Sequence, residues 1–252
     1  MDNRIVFMGS PEFALPTLKA LAEKYAIAGV VTQPDRPAGR GRNLKAPPVK
    51  VLALELGLSV IQPQRLKEPD AMEKLNHWNP DLIVVAAFGQ ILRPEVLDLP
   101  PYGSLNIHAS LLPRWRGAAP IHAAILHGDK ETGITIMKMD PGLDTGPILN
   151  SNSIPISPDD TTGSLSPRLA ELGANLVLET IPRYLAGDID PVTQDEIIAT
   201  YAPTIKKVEA ELNFTHSATS LERRIRAFNP WPCAFTRWQN KHLKIYHYIP
   251  LY

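Results

Sequence analysis

Three polar residues in the middle of this chain have types and spacing that suit acyl transfer. Asn106 and His108 lie two apart in Ser104-Leu105-Asn106-Ile107-His108, and Asp144 follows in Asp140-Pro141-Gly142-Leu143-Asp144-Thr145-Gly146. Residues two apart in a strand share a face. Asn106 and His108 therefore project together, while Leu105 and Ile107 turn into packing. An amide and an imidazole on a buried face each need partners once they leave water. A structural pair would satisfy that need on its own; the carboxylate downstream adds chemistry. An amide N–H₂ and a protonated imidazole can donate to a developing oxyanion. A carboxylate can orient the histidine and accept or relay the proton lost by an attacking amine. None of the three is a strong nucleophile, so the set fits direct transfer through a tetrahedral intermediate rather than a covalent enzyme adduct.

Positioning these residues requires a strand-rich scaffold, and the first half of the sequence supplies one. Short β-branched runs at 5–8, 27–32, 82–87 and 105–108 read as buried strands, with helices beginning near Pro11, Pro48, Asp70 and Pro94. This alternation predicts an α/β fold, a doubly wound, mostly parallel, Rossmann-like sheet with helices on both faces. Runs at 134–139 and 148–154 read as further strands flanking the Asp144 loop. Leu165, Leu169, Leu172 and Leu176 form an apolar stripe at helical spacing, with Asp159 and Asp160 near the start of that helix and Gly187 past its end. The texture changes at Ala186, where GDIDPVTQDE is polar and rich in turn formers. The sequence thus divides into a catalytic domain over 1–187, a linker over 188–204 and a smaller C-terminal unit over 205–252. That unit holds a basic helix at 218–227, the Asn229-Pro230-Trp231-Pro232 turn, and strands near 234–238 and 243–248.

Composition narrows the function further. The chain has 252 residues, 44% hydrophobic and 21% charged, with zero formal net charge. No apolar run is long enough to span a bilayer. The N-terminus enters a strand directly, so no secretory signal is expected and the cytoplasm is the expected compartment. One cysteine, Cys233, excludes an internal disulfide and any multi-thiolate metal site. The seven histidines show no ligand spacing, so no metal is expected. Gly9-Ser10-Pro11-Glu12-Phe13 has one glycine where a dinucleotide fold shows three, and no Walker or G-x-S-x-G motif is present. Charge is unevenly spread. Residues 33–50 carry five Lys/Arg against one Asp, and 201–252 carry eight against three Glu, leaving −9 for the rest. Two basic segments on a neutral protein suit an anionic partner that touches part of the surface.

Four stretches together resemble the methionyl-tRNA formyltransferases: NIHASLLPRWRGAAPI, DPGLDTG, TQPDRPAGRGRNLKAPPVK and IRAFNPWP. N-x-H-x-S-L-L-P followed by D-x-G-x-D-x-G is similar to the wider group that uses 10-formyltetrahydrofolate. R-W-R-G-A-A-P and the basic insert narrow it to the tRNA-acting member. The resemblance implies that Asn106, His108 and Asp144 are the catalytic trio. It implies a folate site from Phe88, Gly89, Gln90, Ile91, Leu92, Ser110, Leu111, Leu112 and Pro113. It places Phe13 near the methionyl side chain and Arg40 on the tRNA acceptor arm, with Arg36, Arg42 and Lys45 adding phosphate-seeking charge. The implied cosubstrate is 10-formyltetrahydrofolate without a metal. The implied partner is initiator methionyl-tRNA, with no membrane and a monomeric enzyme.

The resemblance also implies a C-terminal OB-like barrel, which needs five strands. Residues 205–252 leave room for fewer, so a truncated or shortened barrel is expected. Rival readings are another folate-dependent formyltransferase acting on a small amine, a hydrolase of the same folate, and a tRNA- or folate-binding remnant. The long basic insert favours tRNA, because a small acceptor has no use for it.

Overall fold

The structure is a computed structural model that describes residues 3–38, 43–239 and 241–247. In chain order the elements are β1 (Arg4–Gly9), α1 (Leu15–Lys24), β2 (Ala26–Val31), β3 (Arg36–Ala38), β4 (Asn43–Lys45), α2 (Pro48–Glu55), β5 (Val60–Ile61), α3 (Pro69–Trp78), β6 (Leu82–Ala86) and α4 (Pro94–Leu97). There follow β7 (Ser104–His108), β8 (Arg116–Gly117), α5 (Pro120–His127), β9 (Glu131–Lys138), β10 (Ile148–Pro155), α6 (Thr162–Leu185), β11 (Tyr201–Ala202), α7 (Ala218–Ala227), β12 (Phe235–Trp238) and β13 (Lys241–Lys244).

Seven strands form one sheet in the order β10-β9-β7-β6-β1-β2-β5. The pairs from β7 to β5 are parallel, and β9 and β10 add antiparallel at the β7 edge. Alternation along the strands builds two cores. Ile5, Phe7, Val84, Leu105 and Ile107 face α1, α2, α5 and α6, whereas Val6, Met8, Ile83 and Val85 face α3 and α4. Helices thus cover both faces, as the doubly wound reading requires.

α6 carries the predicted stripe. Leu165, Leu169 and Leu176 are buried, and Gly173 lets the helix approach the sheet. A Cβ on Gly173 would stand 2.8 Å from the Ile107 methyl. Its start is fixed by a reciprocal cap: Thr161 Oγ1 accepts from the Ser164 amide, and Ser164 Oγ accepts from the Thr161 amide. Asp160 accepts from Ser164 Oγ and pairs with Arg168. Burial pushes the Asp160 carboxyl up, but these donors outweigh it and hold it below the usual carboxylate range.

Three local outcomes differ from the sequence reading. α5 went unread because PIHAAILH is apolar nearly all round and presents no amphipathic contrast. The insert at 33–50 carries an unexpected antiparallel pair, β3 with β4, ahead of α2, which begins at Pro48 as the sequence reading has it. Among the described residues, the C-terminal unit forms a two-stranded sheet, β12 with β13, over a small core of Leu212, Ile225 and Ala234. It is fastened to the larger unit by Thr162 Oγ1 donating to the Ala227 carbonyl at 2.7 Å and by the Gly163 amide donating to the Asn229 carbonyl at 3.0 Å. No helix among the described residues is long and apolar enough to cross a membrane.

Candidate active site

Strand order reverses between β1 and β6, and the chain leaves both strands at the same edge of the sheet. Such a switch point opens a crevice at the carboxyl ends of parallel strands. Here it is a cleft of about 850 Å³. Pro11, Glu12 and Phe13 after β1 line one side, Ala87–Leu92 after β6 another, and Asn106 and His108 the end of β7. Met139, Pro141, Leu143 and Asp144 close it from the β9–β10 loop. The volume lies within the range of small-molecule sites, and the mostly apolar wall with a few convergent polar groups is their usual chemistry.

The polar trio meets at one end. Asn106 Nδ2 donates to Asp144 Oδ1 at 3.3 Å, and the Gly117 amide donates to Asp144 Oδ2 at 2.8 Å. His108 Nδ1 lies 3.6 Å from that same Oδ2. On the other side of the ring, Nε2 is 2.9 Å from the Trp115 carbonyl. A carbonyl only accepts, so Nε2 carries a proton and Nδ1 is the nitrogen left to face the carboxylate. His108 is 5% exposed, dry enough for these contacts to hold the ring in one orientation.

Local sequence explains how Asp144 arrives there. Asp140 Oδ1 accepts from the Gly142 amide and from Thr145 Oγ1, tightening the DPGLDTG loop on itself. Asp144 then adopts φ 53°, a left-handed conformation that costs a non-glycine residue about 1 kcal/mol or more. Gly117 has the matching constraint: its φ is 112°, and a Cβ there would stand 2.7 Å from the Ala202 carbonyl oxygen. Only glycine can present its amide to Asp144 from that position.

The turn that carries Trp115 has its own brace. Arg114 donates to both oxygens of Asp129, Trp115 Nε1 donates to Asp129 Oδ2 at 2.7 Å, and the Arg114 guanidinium stacks on the indole. Burial alone would raise the Asp129 carboxyl, but the donors from Arg114 and Trp115 prevail and hold it below the ordinary range. His122, on the cleft wall, is pushed down by burial, although the Trp231 carbonyl beside it works the other way.

The expected folate residues fall into two sets. Phe88, Gly89, Gln90, Ile91 and Leu92 line the cleft. Phe88 and Leu92 are buried and Ile91 stands exposed at its lip, while Gln90 accepts from the Leu66 amide and donates to the Pro63 carbonyl. Ser110, Leu111, Leu112 and Pro113 are not in its wall. Ser110 Oγ donates to the Arg114 carbonyl, and the Leu112 amide donates to Thr135 Oγ1, so this stretch shapes the turn behind His108. Phe13 lines the cleft. Arg36 and Lys45 border a separate shallow depression with Pro34, Pro47 and Gly89. Arg40 and Arg42 lie outside the described residues. Lys50, counted among the basic residues of the insert, is paired with Asp35 at 2.7 Å. Hydrogen bonds from Gln62 and then Lys50 hold the Asp35 carboxyl down. Among the described residues, no group of three or more His, Cys, Asp or Glu could hold a metal ion.

Sequence reasoning missed two groups that touch the trio through their backbones, the Trp115 carbonyl and the Gly117 amide. R-W-R-G was visible as a motif, but a backbone contact leaves no side-chain pattern to read.

The class is that of the formyl transferases. A family model described as "Formyl transferase" matches residues 3–181, and one described as "Formyl transferase, C-terminal domain" matches 204–251. A methionyl-tRNA formyltransferase from Myxococcus xanthus is 51% identical over 243 residues, covering 96% of this chain and 78% of the relative. One from Methylococcus capsulatus is 54% identical, covering 96% and 79%. The chain belongs to the methionyl-tRNA formyltransferase family. Solved structures agree on the fold: a sugar N-formyltransferase from Shewanella superposes with a TM-score of 0.76 at 19% identity over the whole of both chains. A methionyl-tRNA formyltransferase from Clostridium thermocellum gives 0.66 at 18% identity over 96% of this chain and 91% of its own.

Proposed function

We propose that this protein transfers the formyl group of 10-formyltetrahydrofolate to the α-amino group of initiator methionyl-tRNA. The observation that carries the reading is the meeting of Asn106, His108 and Asp144 at the end of one large, mostly apolar cleft, each already oriented by a neighbour. Asn106 uses one amide N–H on Asp144 and keeps a second for the formyl oxygen. His108, its Nε2–H held by the Trp115 carbonyl, offers the Nδ1 edge beside Asp144. Asp144 steers that edge and takes the proton released as the amine bonds to the formyl carbon; when the tetrahedral intermediate collapses, the formyl C–N10 bond breaks and the proton passes to N10 of the departing folate. An α-amine has an unperturbed pKa of about 7.7–8.0, so a usable neutral fraction exists near neutrality and no strong base is needed. Positioning and donation to the charged oxygen supply most of the acceleration.

The cleft suits the folate. Phe88, Ile91 and Leu92 offer apolar surface to a flat ring, and Gly89 and Gln90 offer polar edges. Ser110, Leu111, Leu112 and Pro113 serve the same site from behind, by fixing the turn that bears Trp115. Phe13 sits where a methionyl side chain would enter, and Arg36, Arg40, Arg42 and Lys45 provide charge for the acceptor arm. We assign 1–187 to the catalytic domain, 188–204 to the linker and 205–252 to part of a C-terminal OB-like domain. The enzyme acts as a monomer in the cytoplasm.

Transfer of radiolabelled formyl from 10-formyltetrahydrofolate to methionyl-tRNA, with a small amine as control acceptor, tests this reading. Label on the tRNA alone is expected. Label on the small amine alone would replace the acceptor, and no label on either would overturn the activity.

A further inference from the structure

Residues 192–202 do more than join two units. The Ile148 and Val192 backbones exchange two hydrogen bonds of 2.8 Å, seating the segment against the start of β10. Gln194, 6% exposed, then reaches into the catalytic loop: its Nε2 donates to the Asp144 carbonyl at 2.8 Å and to the Gly146 carbonyl at 2.7 Å. Its Oε1 accepts from Arg116 Nε at 2.9 Å. Arg116 is fully buried, and its two terminal nitrogens grip both oxygens of Glu196. The hydrogen bond to Glu196 is the main cause that raises the Arg116 guanidinium further above its usual value. Downstream, Thr200 Oγ1 accepts from the Trp115 amide and the Thr200 carbonyl from the Arg116 amide. The Ala202 carbonyl accepts from the amides of Ala118 and Ala119.

One strap therefore ties down both supports of the reacting pair: the loop that holds Asp144 in its left-handed conformation, and the turn that carries the Trp115 carbonyl and the Gly117 amide. We infer that Gln194 is a positioning residue for formyl transfer, setting the aim of the Asp144 carboxylate through the backbone of its loop. Both side-chain donors of Gln194 are spent on that loop, and its acceptor is anchored by a charged donor that itself cannot move without breaking a bidentate pair. An amide is the one common side chain that can do both at once: a carboxylate lacks the donors and an apolar side chain lacks everything. Released from Gln194, the loop can relax from a strained φ, and displacement of a reacting group by about 1 Å costs on the order of 10²-fold in rate.

The inference rests on the formyltransferase reading, and transfer by the unaltered chain is the separate test of that reading. The test of the strap is a double-mutant cycle on the full chain, using single-turnover transfer to methionyl-tRNA. Gln194→Met should slow transfer by roughly 10- to 100-fold with KM for either substrate little changed. In an Asp144→Asn background the same change should cost no more than about 2-fold, because the carboxylate it aims is gone. An undiminished loss in that background would overturn the inference, since Gln194 would then serve the fold at large, and so would an unaltered rate in Gln194→Met alone. Should Gln194→Met fail to fold, Gln194→Glu keeps the acceptor for Arg116 while deleting both donors, and the cycle is read the same way.

Discussion

The reacting end of the cleft and the basic insert beside it are built to opposite plans. Around Asp144 the polar groups hold one another in place, and several are dry: His108 and Gln194 are nearly inaccessible, and Arg116 is fully so. The insert is pinned at its base, where Asp35 takes donors from Lys50 and Gln62, and the residues of β4 above that base are all exposed. Under the proposed function, the difference follows from what each would meet. A formyl carbon and an amine tolerate errors of well under an ångström, so the groups that act on them are cross-braced. A phosphate backbone is met by charge over longer distances, where register comes from many weak contacts.

That contrast can be broken at four points. Asp144→Asn should lower single-turnover formyl transfer by about 10²–10³-fold while equilibrium binding of the folate stays near its original value; an unchanged rate would remove the carboxylate from the mechanism. Gly117→Ala comes next. A Cβ there collides with the Ala202 carbonyl and the φ is wrong for alanine, so a loss of roughly 1–3 kcal/mol in unfolding free energy should accompany a slower rate, read by denaturant titration and rapid quench. In the insert the expectation reverses. Arg36→Ala and Lys45→Ala should each raise KM for methionyl-tRNA a few-fold and flatten its salt dependence by about one unit of slope, with kcat and folate affinity untouched.

The smallest effect concerns acid. Asp129 titrates below its unfolded value because Arg114 and Trp115 outbid burial. A depressed carboxyl contributes stability above its unfolded pKa and loses it as pH falls through the folded one. Asp129→Asn should therefore cost about 1 kcal/mol or less at neutral pH and flatten the decline in stability below about pH 4. Thermal melts between pH 3 and 7 measure both.

How far the sequence carried depends on whether a feature is local. The sheet was legible because its strands are short β-branched runs separated by helix starts, a pattern that survives without knowledge of the partner strand. Asn106 and His108 were legible from alternation within five residues. Asp144 needed the motif, since nothing in the period of the chain says that a residue 38 positions later folds back onto Asn106. Gln194 carried no signal of either kind. It sits in the polar, turn-rich GDIDPVTQDE stretch, where a glutamine is ordinarily solvated, and its burial comes from pairing with Arg116, 78 positions away. The SLLP stretch shows the converse: its residues were legible as a motif, but not that they would back the site instead of lining it.

The short parallel pair of β8 with β11 has a consequence for how such chains can be recombined. The sheet and α6 are complete by Leu185, and a boundary drawn there looks natural by compactness. Yet Gln194, Thr200 and Ala202 hold the loop and turn that hold Asp144 and His108. Heredity therefore has fewer places to cut than geometry suggests. A chimera that exchanges the C-terminal part from a point before Ala202 would import a foreign strap beneath Asp144 and His108, whereas one joined after it would leave them with their own.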